Sequence, residues 1–148
     1  HIYKSLGIPV HETMLGIKDE KLVVACKDFR KNQIDYRLDD YNSIKNDYVE
    51  GLEKKLESTS SSNPHAINID ETIIIMNNNP LFNRVAGLKD RFWDMFIVDA
   101  LIGNNDRNNG NWGVIVDNRT NETKIAPVFD NGASFNTKSS DENIENKW

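Results

Sequence analysis

In Gly103-Asn104-Asn105-Asp106-Arg107-Asn108-Asn109-Gly110-Asn111 an aspartate is followed five residues later by an asparagine, and Pro127-Val128-Phe129-Asp130-Asn131-Gly132 lies just downstream. The two patterns are D-x-x-x-x-N and D-x-G. Phosphoryl transfer asks for a carboxylate that orients the attacking hydroxyl, and for an amide oxygen and a second carboxylate that hold magnesium. These spacings supply all three. Asp106 is the candidate general base, since such transfer needs positioning more than basicity. Asn111 and Asp130 are the candidate metal ligands, because magnesium prefers hard oxygens and takes one or two carboxylates together with phosphate oxygens and water. Arg107 either offsets the local negative charge or pairs with a nearby acid. Asn, Asp and Gly are also the residues of an ordinary turn, and D-x-x-x-x-N alone arises easily in so asparagine-rich a chain. Its context gives it weight: an aromatic-rich helical stretch precedes it, a hairpin follows, and D-x-G closes the hairpin.

The elements that must position these residues are readable from periodicity and punctuation. Phe92, Trp93, Phe96, Ile97, Ala100 and Leu101 recur at helical spacing within Lys89 to Ile102, and Gly103 stops that helix. So apolar a face is expected at the centre of the core, with Trp112 beneath the loop. Trp112 to Val116 and Thr123 to Ala126 read as strands joined by the polar turn Asp117 to Glu122, which folds the chain back toward Asp106 and Asn111. Upstream, His1 to Leu6 reads as a helix end closed by Gly7 and Pro9. Thr13 to Ile17 and Leu22 to Phe29 read as a hairpin around Lys18-Asp19-Glu20-Lys21. Asp39 or Asp40 caps a helix with the apolar stripe Tyr41, Ile44, Tyr48, Leu52 and Leu56, and Lys54 and Lys55 suit its negative end. Ser58 to Pro64 reads as a surface connector. Ile69 to Met76 has three consecutive isoleucines that favour a strand, but an Asn or Asp cap and Pro80 beyond its end favour a helix.

The chain has 148 residues, 38% of them hydrophobic, which is one domain's worth with a sizeable core. Its formal net charge of -5 and scattered Lys and Arg offer no basic stripe, so direct nucleic-acid binding is not expected. The single cysteine, Cys26, sits in an apolar run and is expected as a buried filler in a reducing compartment. No apolar stretch approaches the length of a membrane span and no secretory leader is visible, so no membrane partner and a cytoplasmic location are expected. His11 and His65 stand apart from other ligand types and are expected on surface loops, without zinc. The chain begins without methionine and stops in a polar stretch, so a piece of something longer is expected.

The stretch from Asp99 through Gly113, with Pro127 to Gly132 after it, resembles the HipA-like kinases, a bacterial group with a protein-kinase-like fold whose characterised members phosphorylate Ser or Thr on proteins with ATP. The resemblance implies Asp106 as the catalytic aspartate, Asn111 and Asp130 as the metal-binding pair, and ATP with Mg²⁺ as cofactors. It also implies a protein substrate and, since the group includes toxins of toxin–antitoxin pairs, an antitoxin partner. Asn108 departs from it, standing where the group often has a histidine, and cannot carry a proton. Val24-Ala25-Cys26-Lys27 is reminiscent of the V-A-I-K lysine, but no glycine-rich loop precedes it. By resemblance Val23 to Arg30 is instead the hinge strand, making Lys27, Asp28 and Phe29 the candidate adenine contacts. The group's phosphate loop and nucleotide-binding lysine are expected upstream, so the fragment alone is expected to bind nucleotide poorly. The implied fold class is α+β. It comprises the remnant of an N-terminal lobe and hinge over 1–38, with a small antiparallel hairpin, and a partial, mainly helical lobe over 39–148 that carries the catalytic and metal-binding loops. Two other functions are kept beside this one: a non-catalytic, pseudokinase-like interaction module, and a kinase acting on a lipid or small molecule.

Overall fold

The computed structural model describes residues 2–49 and 67–136. A short helix α1 (Ile2–Ser5) leads to β1 (Thr13–Lys18) and β2 (Lys21–Cys26), then to β3 (Tyr36–Asp40) and α2 (Tyr41–Val49). Beyond residue 66 come α3 (Ile69–Asn78), α4 (Leu88–Ile102), β4 (Gly113–Asp117) and β5 (Thr123–Ile125). The strands form two antiparallel sheets, β1–β2 and β3–β4–β5.

Most of the local reading is reproduced. Gly7 stops α1 at φ +75, a left-handed conformation that costs glycine nothing. Asp40 caps α2, its carboxylate accepting from the Ser43 backbone N–H at 2.8 Å. The Ile69 stretch is the helix α3, and its cap Asn68 accepts from Glu71 N at 3.1 Å. Leu52, Leu56, Lys54, Lys55, the serine connector and His65 lie outside the described residues.

One strand was not foreseen, and two expectations are corrected. Strand β3, where Tyr36 and Leu38 alternate with Arg37 and Asp39 over only a few residues, is the unforeseen one. Its whole length pairs with β4, from Tyr36 opposite Asp117 to Asp40 opposite Gly113. Cys26 is exposed, not buried, because the β1–β2 ribbon has both faces open, with Met14, Leu15, Ile17, Leu22 and Val24 exposed as well. The buried face of α4 is Leu88, Phe92, Met95, Val98, Asp99 and Ile102, whereas Trp93, Ile97 and Leu101 are exposed. Because α4 is apolar around most of its circumference, periodicity alone does not choose the buried side.

Trp112 is the centre of the core. Its ring lies 4.5 Å from Tyr41, 5.1 Å from Phe92 and 6.3 Å from Phe82, drawing α2, α4 and the segment after α3 onto the start of β4. Ile75, Met76, Val114 and Val128 complete the cluster. Gly113 permits this closeness, since a Cβ there would lie 2.2 Å from the Asp39 carbonyl oxygen.

Candidate active site

The polar loop after α4 is ordered from both ends. Gly103, at φ +63, turns the chain out of the helix, and Asn104 returns its backbone N–H to the Asp99 carbonyl at 2.9 Å. At the far end α2 receives the loop: Asn42 N donates to Asn109 O at 2.9 Å and Tyr41 N to Trp112 O at 2.8 Å. These are first-turn N–H groups that a helix leaves without internal partners.

Arg107 organises the middle. Its Nε donates to Asp99 Oδ2 at 2.6 Å and its Nη2 to Asp99 Oδ1 at 3.2 Å, a forked ion pair with side chains only 5% and 6% exposed. Nη1 donates to the backbone carbonyls of Asn111 at 2.7 Å and Phe129 at 2.6 Å, and Nη2 also to Asn131 Oδ1 at 2.6 Å. One guanidinium thus touches the residue expected as an amide ligand and both neighbours of Asp130. The sequence offered offsetting or pairing with an acid as roles for Arg107; the structure shows the pairing, with Asp99.

Asp106 is exposed, and the two asparagines after it hold its backbone. Asn108 Nδ2 and Asn111 Nδ2 each donate to the Asp106 carbonyl at 3.1 Å. Asn108 Oδ1 also accepts from Gly110 N at 2.9 Å, so this residue shapes the turn. Anchoring the Asn111 nitrogen fixes its amide so that Oδ1 points away, and that oxygen accepts no hydrogen bond among the described residues. Asp130 is exposed at φ +54, and its carboxylate likewise accepts none among them. A carboxamide oxygen and a carboxylate, both hard and both uncommitted, are donors that suit Mg²⁺. Among the described residues no cluster of three or more His, Cys, Asp or Glu forms a ready-made cage.

The amino-terminal segment completes the surroundings. Val10 bridges Val128 in parallel, with Val128 N donating to Pro9 O at 2.8 Å and His11 N to Val128 O at 3.0 Å. His11, expected on the surface, is half-buried within the electrostatic reach of Asp130. Burial, the largest influence, holds its pKa below the usual imidazole value; Asp130 opposes this and Arg107 adds to it. Of the expected hinge residues, Phe29 reaches the site, its ring 5.5 Å from that of Phe129. Lys27 instead pairs with Glu12 at 2.9 Å on the exposed ribbon. Asp28 is held by Arg30 at 2.7 Å, which with its other hydrogen bonds keeps its pKa well below the usual carboxylate range.

Sequence reasoning gave no role to Asp99 or Tyr3. Tyr3, fully buried on α1, donates its hydroxyl to Asp99 Oδ1 at 2.6 Å, and Asn104 Nδ2 donates to the same oxygen at 2.8 Å. Burial first, and then Asp99, push the Tyr3 phenol pKa far up. The available signal was an aspartate on the same helical face as Met95 and Ile102, where a charge requires a partner.

The helices and two antiparallel sheets match a kinase-like fold. No protein-family model matches the chain. The chain is 42% identical over 141 residues to the serine/threonine-protein kinase CtkA of Helicobacter pylori strain J99, an alignment covering 95% of this chain and 40% of that protein. It is homologous to that kinase. The crystal structure of a Helicobacter pylori proinflammatory kinase CtkA superposes with a TM-score of 0.80 at 36% identity, covering 99% of this chain and 49% of that one. The chain therefore spans less than half the length of either match. No helix among the described residues is long and apolar enough to cross a membrane.

Proposed function

We propose that this chain is the catalytic-loop portion of a HipA-like Ser/Thr protein kinase of the cytoplasm, whose full-length form moves the γ-phosphoryl group of ATP to a Ser or Thr of a protein substrate. Asp106 orients the incoming hydroxyl and accepts its proton. Asn111 Oδ1 and the Asp130 carboxylate hold Mg²⁺, which when bound neutralises charge on the nucleotide phosphates. Phe29 and its neighbours form the hinge edge where adenine is received, and the lobes divide near residue 38. Asn108 acts as a turn former in place of a proton carrier. An antitoxin partner belongs to the same reading.

The observation that carries the proposal is the Arg107 guanidinium, which bonds residues 111, 129 and 131 together while the Asn111 amide is tied to Asp106. Two loops separated by a hairpin are joined at Asn111 and at both neighbours of Asp130, which supports this reading. In the full-length protein, Asp106→Asn and Asp130→Asn are each expected to lower kcat on the order of 10²–10³-fold or more. Near-normal turnover by both would reject the assignment. In this chain, an NMR titration with Mg²⁺ is expected to shift Asn111 and Asp130 first, and stationary signals there would reject the metal site.

A further inference from the structure

We infer that Tyr3 is a positioning residue for phosphoryl transfer, acting through Asp99 and Arg107 on the loops that carry Asp106, Asn111 and Asp130. The inference rests on the kinase reading above and adds a residue from the opposite end of the chain.

The links are hydrogen bonds between buried or half-buried groups. The Tyr3 hydroxyl has one proton and two acceptors nearby, Asp99 Oδ1 at 2.6 Å and Met95 O at 3.2 Å; the shorter contact, to the carboxylate, takes it. Asp99 Oδ1 is thereby pinned by Tyr3 and Asn104 on one side, while both its oxygens receive Arg107 on the other. The guanidinium has five N–H donors. Its five hydrogen bonds use all of them: two on Asp99 and one each on Asn111 O, Phe129 O and Asn131 Oδ1. A planar group with every donor committed has no independent orientation. Its plane is set by the carboxylate it grips, and that carboxylate's plane is set in part by Tyr3.

Removing the phenol oxygen takes one restraint from Asp99 without opening a large cavity, since the ring remains. The carboxylate can then rotate, the guanidinium follows, and the carbonyls of residues 111 and 129 shift relative to each other. Phosphoryl transfer is sensitive to such shifts, because misplacing groups by about 1 Å can cost as much as 10²-fold in rate.

The test is Tyr3→Phe beside Ile75→Val, a fully buried core position on α3 whose shortening costs only stability. In the full-length protein, Tyr3→Phe is expected to lower kcat about tenfold, within the range that misplacement allows, with KM for ATP within about twofold of wild type. Ile75→Val should leave both constants unchanged. In this chain alone, titrated with Mg²⁺ and followed by NMR, Tyr3→Phe is expected to raise the Mg²⁺ Kd several-fold, with Asn111 and Asp130 still the responding residues. A Tyr3→Phe variant indistinguishable from Ile75→Val in kcat and in Mg²⁺ affinity would overturn the inference. Absence of any phosphoryl transfer by the wild-type protein would instead sink the kinase reading. The Mg²⁺ titration then decides the positioning role, and an unaltered Kd in Tyr3→Phe overturns it.

Discussion

The β1–β2 ribbon and the β3–β4–β5 sheet are both antiparallel, and an ion pair lies near each, one in water and the other in the interior. On the ribbon, Lys27 and Glu12 meet at 2.9 Å with side chains 69% and 72% exposed. Beside the sheet, Arg107 and Asp99 meet at 2.6 Å, almost wholly buried. Water screens the first pair and can replace either partner. The second has left water behind, so each charge depends on the other and on the hydrogen bonds around it. Geometry of similar length thus holds the Asp106 loop in one place and merely decorates a surface in the other. The same contrast holds for the glycines: Gly16 on the ribbon has only a Val23 methyl at 4.0 Å from a built Cβ, while Gly113 on β4 faces the Asp39 backbone at 2.2 Å.

Substitutions that treat both regions alike would break this contrast. The largest effect is expected for Arg107→Ala, which strands Asp99 in the interior and should cost about 3–5 kcal/mol in chemical denaturation. A loss below about 1 kcal/mol would mean that water reaches Asp99, contrary to its burial. Next comes Gly113→Ala, where the clash is with backbone that cannot rotate away. A loss of about 1–3 kcal/mol or more is expected, against little change for Gly16→Ala, and equal melting shifts for the pair would contradict the packing described. An alkaline titration should show a smaller effect. Tyr3 and Tyr41 keep their protons in the folded state beyond the ordinary phenol value near 10, mainly because of burial. The unfolded chain therefore gives up these protons first, so their contribution is fully present below pH 10 and is lost as pH rises toward the folded values. Each should steepen the fall by about 1.4 kcal/mol per pH unit, and Tyr3→Phe should remove one such increment. The smallest effect belongs to Lys27→Ala, within about 1 kcal/mol of wild type by the same denaturation assay.

The candidate site was proposed from sequence where chemistry constrains residue type and spacing together. Asp106, Asn111 and Asp130 are singled out by that pattern, and the stop at Gly103 and the return hairpin follow from turn chemistry. The fold was legible where a cap and a breaker mark the ends, as Asn68 and Pro80 do for α3. It was not legible in α4, where residues on opposite sides are equally hydrophobic and the choice is made by Trp112 and by Asp99. Nor was it read in β3, whose Tyr-Arg-Leu-Asp alternation is too short to stand out and which forms a strand because β4 lies beside it. Tyr3 escaped notice because its partner is 96 positions away, and no local pattern records a contact at that distance. Cys26 misled because an apolar run gives no indication of whether anything packs against it.

The Tyr3–Asp99 bond and the Val10–Val128 bridge also have a consequence for how the molecule comes into being. During translation Tyr3 and Val10 emerge long before the segments they must grip, so this part of the polypeptide waits unmatched until residue 128 has cleared the ribosome. Closing so long a loop carries an entropic toll and slows assembly relative to the nearby helices. The joining of the Asp106 and Asp130 loops should therefore be among the last steps the nascent chain completes, well after its helices have formed.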